Sequence, residues 1–355
     1  MIQEFLIKIL LSPFSLLYGI GVGLRNFFYN TGLLRDVNFN IPIISIGNLS
    51  VGGAGKSPHV EYLVAFLRDY LEVATLSRGY KRKTTGFLTV NINDDAEKVG
   101  DEPLQFKRKF PDVLVAVGEN RTFAIPKILG KNPKTQVIIL DDAFQHRAVK
   151  PGLNILLTPY DNLFTKDFLL PSGRLREWRS AYKRAHTIIV SKCPPVLSEE
   201  EMSAVIKEIQ PKSYQSVYFS YYDYLPPFYL FNQQYRVRLE EDIDVVLVSG
   251  IAGTNYLTDY LHTKVNSITP IEFEDHHYFS KSDIGNMQGT FERLDGKKKI
   301  ILTTEKDAMR FELHKDHLLK SRIPIFVLPI KVRFHGDDNT KFNEEVKQFL
   351  LNFKA

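Results

Sequence analysis

The stretch from Ile41 to Ser57 constrains this chain more than any other. An apolar, isoleucine-rich run from Ile41 to Ile46 leads through Gly47 to Gly52-Gly53-Ala54-Gly55-Lys56-Ser57, and a helical pattern follows from His59 to Tyr70. Strand, glycine-rich turn and helix in that order is the layout of a phosphate-binding loop. Gly52, Gly53 and Gly55 allow backbone N–H groups to converge on an anion, and the N-terminus of the next helix adds partial positive charge. In such a loop Ser50, Val51, Gly52, Gly53, Ala54, Gly55, Lys56 and Ser57 cradle ATP. Lys56 reaches the β/γ-phosphates and the Ser57 hydroxyl meets Mg²⁺. One position departs from the general pattern: the residue seven before Ser57 is Ser50, where a glycine is usual.

Further apolar runs follow: Val73 to Leu76, Val113 to Val117, Val137 to Leu140, Leu153 to Leu157 and Thr187 to Val190. Nearly continuous apolar strands separated by helical patterns predict an α/β fold with a mainly parallel sheet covered on both faces. Ligands in such sheets sit beyond the carboxyl ends of the strands. Ser50–Ser57, Ser77–Tyr80 and Asp141–Asp142 therefore share one rim. Asp141-Asp142 ends an apolar strand as a Walker-B element does, and either carboxylate could bind Mg²⁺ directly or through water. Asp at a strand end also serves as a helix cap. Gly100-Asp101-Glu102-Pro103, on spacing alone, reads as a helix start with Asp at the cap and Pro in the first turn. Arg174, Arg176 and Glu177 follow Pro171-Ser172-Gly173 on a flexible loop. Its guanidinium groups suit a phosphate on ATP or on the acceptor, or the loop is simply solvated and basic. Arg78 and Arg121 are further candidates for that task.

The N-terminus carries no charge from Ile9 to Leu24, with Lys8 and Arg25 flanking the run. It has no small-residue cleavage site typical of a signal peptide. It is shorter than a full span and holds Pro13. An interfacial or partly inserted helix fits better: Phe5, Leu6, Ile9, Leu10, Phe14, Leu17 and Leu24 are apolar, and Phe27, Phe28 and Tyr29 follow as an interface belt. A helix buried on the protein's own core is the alternative. The chain's 355 residues can build two domains, and its net charge of +5 suits an acidic substrate or an anionic membrane surface. That balance is too weak to argue for nucleic acid, and no nucleic-acid-binding signature is present. The single cysteine, Cys193, excludes an internal disulfide and fits a reducing compartment.

From Tyr214 to Tyr235 the chain is dense in Tyr and Phe around Pro226-Pro227, reading as strand, turn and strand, or as a lipid-contacting aromatic patch. A second domain begins near Asp244, with strands at Val245 to Val248, Lys299 to Leu302 and Ile325 to Val327, and a helix from Asn255 to Leu261. The turn Ser249-Gly250-Ile251-Ala252-Gly253 lacks the Lys and Ser/Thr of a phosphate loop and reads as a strand–helix connection.

The motifs together resemble the tetraacyldisaccharide 4′-kinases, the lipid A 4′-kinases. The resemblance rests on Gly47 to Pro58, where family members also carry Ser or Thr at the place of Ser50. It continues through Ser77-Arg78-Gly79-Tyr80, Gly100-Asp101-Glu102-Pro103, Asp141-Asp142-Ala143-Phe144-Gln145-His146-Arg147, Pro171 to Glu177, Asp275-His276 and Thr304-Glu305-Lys306-Asp307. The resemblance implies transfer of the γ-phosphoryl group of ATP to the 4′-hydroxyl of a tetraacylated glucosamine disaccharide 1-phosphate, giving lipid IVA. It implies a peripheral or monotopic protein at the cytoplasmic face of the inner membrane, with two α/β/α domains joined by a two-stranded linker. The expected division is a membrane-associated helix over 1–30, a P-loop kinase domain over 31–213, the linker over 214–240 and a C-terminal α/β domain over 241–355.

By the same resemblance Asp101 takes the acceptor proton with His276 in support, His277 being the neighbouring candidate. Arg78, Arg121, Gln145, Arg174, Arg176 and Glu177 contact substrate, and Thr304–Asp307 borders the nucleotide. A His–Asp pair is chemically reasonable, since each orients the other and the carboxylate would stabilise an imidazolium. A membrane-associated ATPase or GTPase switch would use the same loop and Asp141, but would have no need of Asp101 with His276 or of the Arg174–Glu177 loop. A soluble small-molecule kinase is disfavoured by Ile9–Leu24.

Overall fold

The computed structural model describes the backbone of residues 2–354 and the side chains of residues 7–354, so Phe5 and Leu6 of the expected apolar face lie outside the described side chains. The chain forms two compact units, neither continuous in sequence. One joins Met1–Arg78, Asp112–Tyr222 and Val332–Ala355, and the other joins Gly79–Pro111 and Asp223–Lys331. These bounds differ from the sequential division expected above, and packing explains why. Helix Asp101–Lys109 lies against helix Glu305–Phe311, with Lys109 Nζ 2.9 Å from Glu305 Oε1, so residues 79–111 go with the second unit. The C-terminal helix Asp338–Leu351 returns to the first, where Phe342 stacks on Phe334 at 5.1 Å and packs on Tyr218 at 5.5 Å.

The sheet of the first unit places strands in the order Ser216–Tyr224, Thr187–Ser191, Leu153–Pro159, Ile43–Asn48, Val137–Asp141, Val73–Ser77, Leu114–Val117. Every ladder between these neighbours is parallel. Ile43–Asn48 is buried along its whole length, as a central parallel strand covered on both faces must be. The order reverses around it. The chain leaves Ile43–Asn48 for Val73–Ser77 on one side, later fills the gap with Val137–Asp141, then crosses to Leu153–Pro159 on the other side. Such a switch point opens a crevice at the carboxyl ends of the strands, where the glycine-rich turn and Asp141-Asp142 emerge.

The N-terminal helix runs unbroken from Ile2 to Asn30, through Pro13. Pro13 does not interrupt the helix expected over 1–30. Proline lacks the N–H that would bond the Ile9 carbonyl, and the Ser12 hydroxyl donates to that carbonyl instead, at 2.7 Å. Residues 7–30 are therefore long and apolar enough to cross a membrane, by length and composition. Leu10, Phe14, Leu17, Ile20 and Leu24 are exposed. The alternative of a helix buried on the protein's own core does not hold.

The second unit is built on strands ordered Asn232–Arg236, Phe228–Tyr229, Ile325–Leu328, Lys298–Thr304, Ile243–Ser249, Ser267–Glu272. The last four are parallel and the first two form an antiparallel hairpin on their edge. Tyr229 and Tyr235 each lie 5.9 Å from the Phe326 ring, so this part of the aromatic stretch packs protein against protein. Ser267–Glu272 escapes a sequence reading because it contains Pro270, which is tolerated at the end of a sheet. Val245, Leu247, Leu302, Phe326 and Leu328 form the core beneath.

Candidate active site

In the first unit the site begins where strand Ile43–Asn48 ends. Residues 49–51 pair with 174–176: Val51 N–H donates to the Arg174 carbonyl and Arg176 N–H to the Leu49 carbonyl, both at 2.7 Å. The loop after Pro171, expected to be flexible, is thus pinned beside the glycine turn. Gly55 caps helix Lys56–Leu67 with φ 82°, and a Cβ there would collide with the Tyr222 hydroxyl. His59 supports the same turn. Its Nδ1–H donates to the Gly55 carbonyl at 2.7 Å and Nε2 accepts from the Ser220 hydroxyl at 3.0 Å. Burial holds this imidazole down to about 4, so it is neutral.

Lys56 Nζ donates to Asn48 Oδ1 at 3.1 Å and stands 3.7 Å from Asp142 Oδ1. Arg176 grips the same two residues, reaching Asn48 Oδ1 at 2.6 Å and the Asp142 carboxylate at 2.9 and 3.2 Å. Asn48 is the hub of this arrangement, and the sequence reading missed it. Asp142 takes a left-handed backbone, φ 45°, uncommon outside glycine and a frequent mark of functional strain. Burial pushes its carboxyl up, but Lys56 and Arg176 outweigh burial and hold it well below the usual carboxylate range. Asp141 is buried and accepts from the Ser77 hydroxyl at 3.3 Å.

The other sequence candidates sort by place. Gln145 donates to the Asn48 carbonyl at 2.9 Å. Arg121 is buried under the rim, donating to the Gly118 carbonyl at 3.0 Å, and burial pulls its guanidinium down to about 10 against Asp141 and Asp142. Arg174 turns away to Asp167 at 3.3 Å and Asn162 at 2.6 Å, and is not brought together with Arg176. Arg78 is exposed at the end of its strand. Glu177 is buried, accepting from Arg184 at 2.7 Å and from Asn26 of the N-terminal helix at 3.0 Å.

Asn26 belongs to a seat for that helix. The Ser15 hydroxyl donates to the Leu169 carbonyl at 3.0 Å, the Tyr18 hydroxyl to the Arg176 carbonyl at 2.9 Å, and Trp178 Nε1 to the Gly19 carbonyl at 2.8 Å. The loop carrying Arg176 therefore touches the helix on one side and the glycine turn on the other.

Ser57, Asp141 and Asp142 offer only hydroxyl and carboxylate oxygens, the donor chemistry that suits Mg²⁺. Among the described residues no three His, Cys, Asp or Glu side chains converge on a point, so a cation held here would need phosphate oxygens and water to complete its shell.

In the second unit a separate cluster forms beyond the carboxyl ends of its parallel strands. Asp101 opens helix Asp101–Lys109, with Gly100 at the cap (φ 92°). A Cβ on Gly100 would come within 3.3 Å of Gly79 Cα, so only glycine allows these two backbone segments to meet so closely. His276 follows strand Ser267–Glu272 in a left-handed conformation, φ 59°. Its Nδ1 lies 2.9 Å from Asp101 Oδ2 and 3.1 Å from Oδ1. Both residues are buried. The neighbouring His277 pairs instead with Asp283 at 2.9 Å. Burial raises the Asp101 carboxyl, but the His276 hydrogen bond, Lys306 and Arg310 together bring it down to about 2. Arg310, fully buried, stands 3.6 Å from Asp101 Oδ2 and is ion-paired to Asp307, which accepts from Gly250 N–H at 3.1 Å. Thr304–Asp307 thus stands with the dyad in this unit, and Arg310 is a second residue the sequence reading missed. The Tyr80 ring lies 4.7 Å from the His276 ring.

The family described as tetraacyldisaccharide-1-P 4′-kinase matches residues 7–351 of this chain. The tetraacyldisaccharide 4′-kinase of Flavobacterium johnsoniae is 44% identical, covering 97% of this chain and 98% of that relative. That of Bacteroides fragilis is 41% identical, covering 95% of this chain and 91% of the relative. Among solved structures, LpxK from Aquifex aeolicus, an "apo" form in complex with ATP, superposes with a TM-score of 0.71 at 28% identity, covering 97% of this chain and 99% of that one.

Proposed function

The chain belongs to the tetraacyldisaccharide-1-P 4′-kinase family, and on that premise we propose how its residues divide the work. It is an ATP-dependent kinase that phosphorylates the 4′-hydroxyl of a tetraacyldisaccharide 1-phosphate to give lipid IVA, an intermediate of lipid A synthesis. Phosphoryl transfer depends on positioning and charge neutralisation more than on covalent help. Lys56 and the N–H groups of the glycine turn hold the β- and γ-phosphates. Ser57 with Asp141 and Asp142 would hold Mg²⁺, which supplies further charge neutralisation when bound. Arg176, fixed by Asn48 and Asp142, keeps the carboxylate and the lysine in register.

The acceptor hydroxyl is deprotonated by Asp101. The new bond joins the 4′-oxygen to the γ-phosphorus, the bond to the β-bridging oxygen breaks, ADP leaves and the proton goes to Asp101. The observation that carries this reading is the buried Asp101–His276 pair, 2.9 Å between Oδ2 and Nδ1. A nucleotide switch that hydrolyses ATP or GTP has no use for a carboxylate so placed.

The exposed apolar face of the N-terminal helix suits a bilayer, and we place the protein at the cytoplasmic face of the inner membrane with that helix inserted. Labelled ATP·Mg²⁺ and a detergent-solubilised tetraacyldisaccharide 1-phosphate test the reaction, with NMR locating the new phosphate at the 4′ position. ATP hydrolysis without lipid phosphorylation would favour the switch. Flotation with vesicles tests the location: the full chain should float, and a Leu10→Ser, Phe14→Ser, Leu17→Ser triple variant should not.

A further inference from the structure

Lys306 lies 2.9 Å from His276 Nε2, on the side of the ring opposite Asp101. An ammonium has three donors and no acceptor. Nε2 must therefore present its lone pair, and the ring proton must sit on Nδ1, where it points at the Asp101 carboxylate. An imidazolium would set one N–H against another. We propose that Lys306 is a positioning residue that fixes His276 as the neutral Nδ1–H tautomer, so that the imidazole serves only to orient Asp101 and takes no proton from the acceptor.

The surroundings are built for this. Lys306 also meets Glu102 at 3.3 Å and Asp275 at 3.2 Å. Burial pulls its ammonium down, but Glu102, Asp101 and Asp275 outweigh burial and raise it, which keeps it a charged donor. Around the imidazole stand Asp101, Glu102, Asp275, Lys306 and Arg310, with the Tyr80 ring beside it. Lys81 Nζ donates to the Asp275 and His276 carbonyls at 3.0 and 3.4 Å, holding the strained turn that aims the ring. With Nε2 engaged by Lys306 and Nδ1 already protonated, His276 has no nitrogen left to receive the acceptor proton. In this arrangement Asp101 is left as the acceptor of the proton.

The inference rests on the kinase reading for its kinetic consequence, but its first test needs no turnover. The full chain labelled with ¹⁵N-histidine is observed by long-range ¹H–¹⁵N correlation, with His276 assigned by the signals lost in His276→Gln. The wild type should show a protonated, pyrrole-type Nδ1 and a pyridine-type Nε2. Lys306→Met should mix the tautomers. It should also lower kcat for lipid phosphorylation by up to about 100-fold, the scale of a misplaced reacting group, with KM for ATP unchanged. Lys306→Arg, which restores a donor, should recover part of both. An Nε2–H tautomer or an imidazolium at neutral pH in the wild type overturns the proposal, and this holds even if Lys306→Met fails to fold. An unaltered tautomer in a folded Lys306→Met overturns it as well. A wild type with the expected tautomer but no lipid phosphorylation overturns the kinase reading instead.

Discussion

Replacing Asp101 by asparagine removes a buried charge while keeping the side chain's volume, and the effect must depend on pH in a definite way. Burial raises the Asp101 carboxyl, but His276, Lys306 and Arg310 bring it from 3.8 down to about 2. A carboxyl depressed by folding contributes stability above its unfolded pKa, and loses that contribution as pH falls through the folded value. At about 1.4 kcal/mol per unit, the shift from 3.8 to about 2 is worth about 2 kcal/mol near neutral pH. At pH 3 roughly half of this remains, because the unfolded chain is then mostly protonated there and the folded chain is not. The stability gap between wild type and Asp101→Asn should therefore narrow by about 1 kcal/mol from pH 5 to pH 3. Amide hydrogen exchange on strand Lys298–Thr304 reads this gap within the unit that holds the dyad. A gap that stays constant over this range would refute the reasoning, since Asp101 would then titrate at its ordinary value.

Lys56→Met should lower kcat by about 100–1000-fold, the scale of losing one donor to a developing oxyanion, in a phosphate-transfer assay; a loss under tenfold would contradict the role of Lys56 at the β/γ-phosphates. Gly47→Ala sets a Cβ 2.6 Å from Phe144 Cβ and 2.7 Å from its backbone nitrogen, so thermal unfolding should report a loss of about 1–3 kcal/mol; an unchanged melting temperature would show that the strand can move aside. Gly19→Leu drives a Cβ to 2.5 Å from Trp178 Cζ2 and 2.7 Å from Leu169 Cδ1, which should loosen the N-terminal helix by about 1–3 kcal/mol. Faster tryptic cleavage at Arg25 in detergent would record it, and wild-type resistance would count against the seat described above. Chelation of Mg²⁺ should abolish transfer and its return restore it; a rate indifferent to chelator would remove Ser57, Asp141 and Asp142 from metal binding.

Much of this architecture was legible in the sequence because local rules govern it. The glycine turn from Gly52 to Gly55, Lys56, and the acids ending Val137–Asp141 declare themselves by residue type and spacing. What escaped depends on distant pairings. Arg310 looks like an ordinary basic residue in the last turn of helix Glu305–Phe311, and Lys306 is marked only by its family motif, until Asp101, some two hundred positions earlier in the chain, is folded against them. Asn48 looks like a strand end until Lys56 and Arg176 close on it. Residues 79–111 join the second unit through contacts that no local pattern records. The N-terminal helix was expected over 1–30 and forms from Ile2 to Asn30, but the way it tolerates Pro13, through the Ser12 hydroxyl that takes over the lost hydrogen bond, is a single side-chain detail.

The most direct test of the account measures phosphate transfer from labelled ATP to the tetraacyldisaccharide 1-phosphate by wild type, Asp101→Ala and Lys56→Ala, with ATP affinity measured on the same preparations. The wild type should transfer phosphate, Asp101→Ala should lose transfer with ATP affinity retained, and Lys56→Ala should lose both. Transfer by Asp101→Ala at close to the wild-type rate would contradict the assignment of Asp101 as proton acceptor.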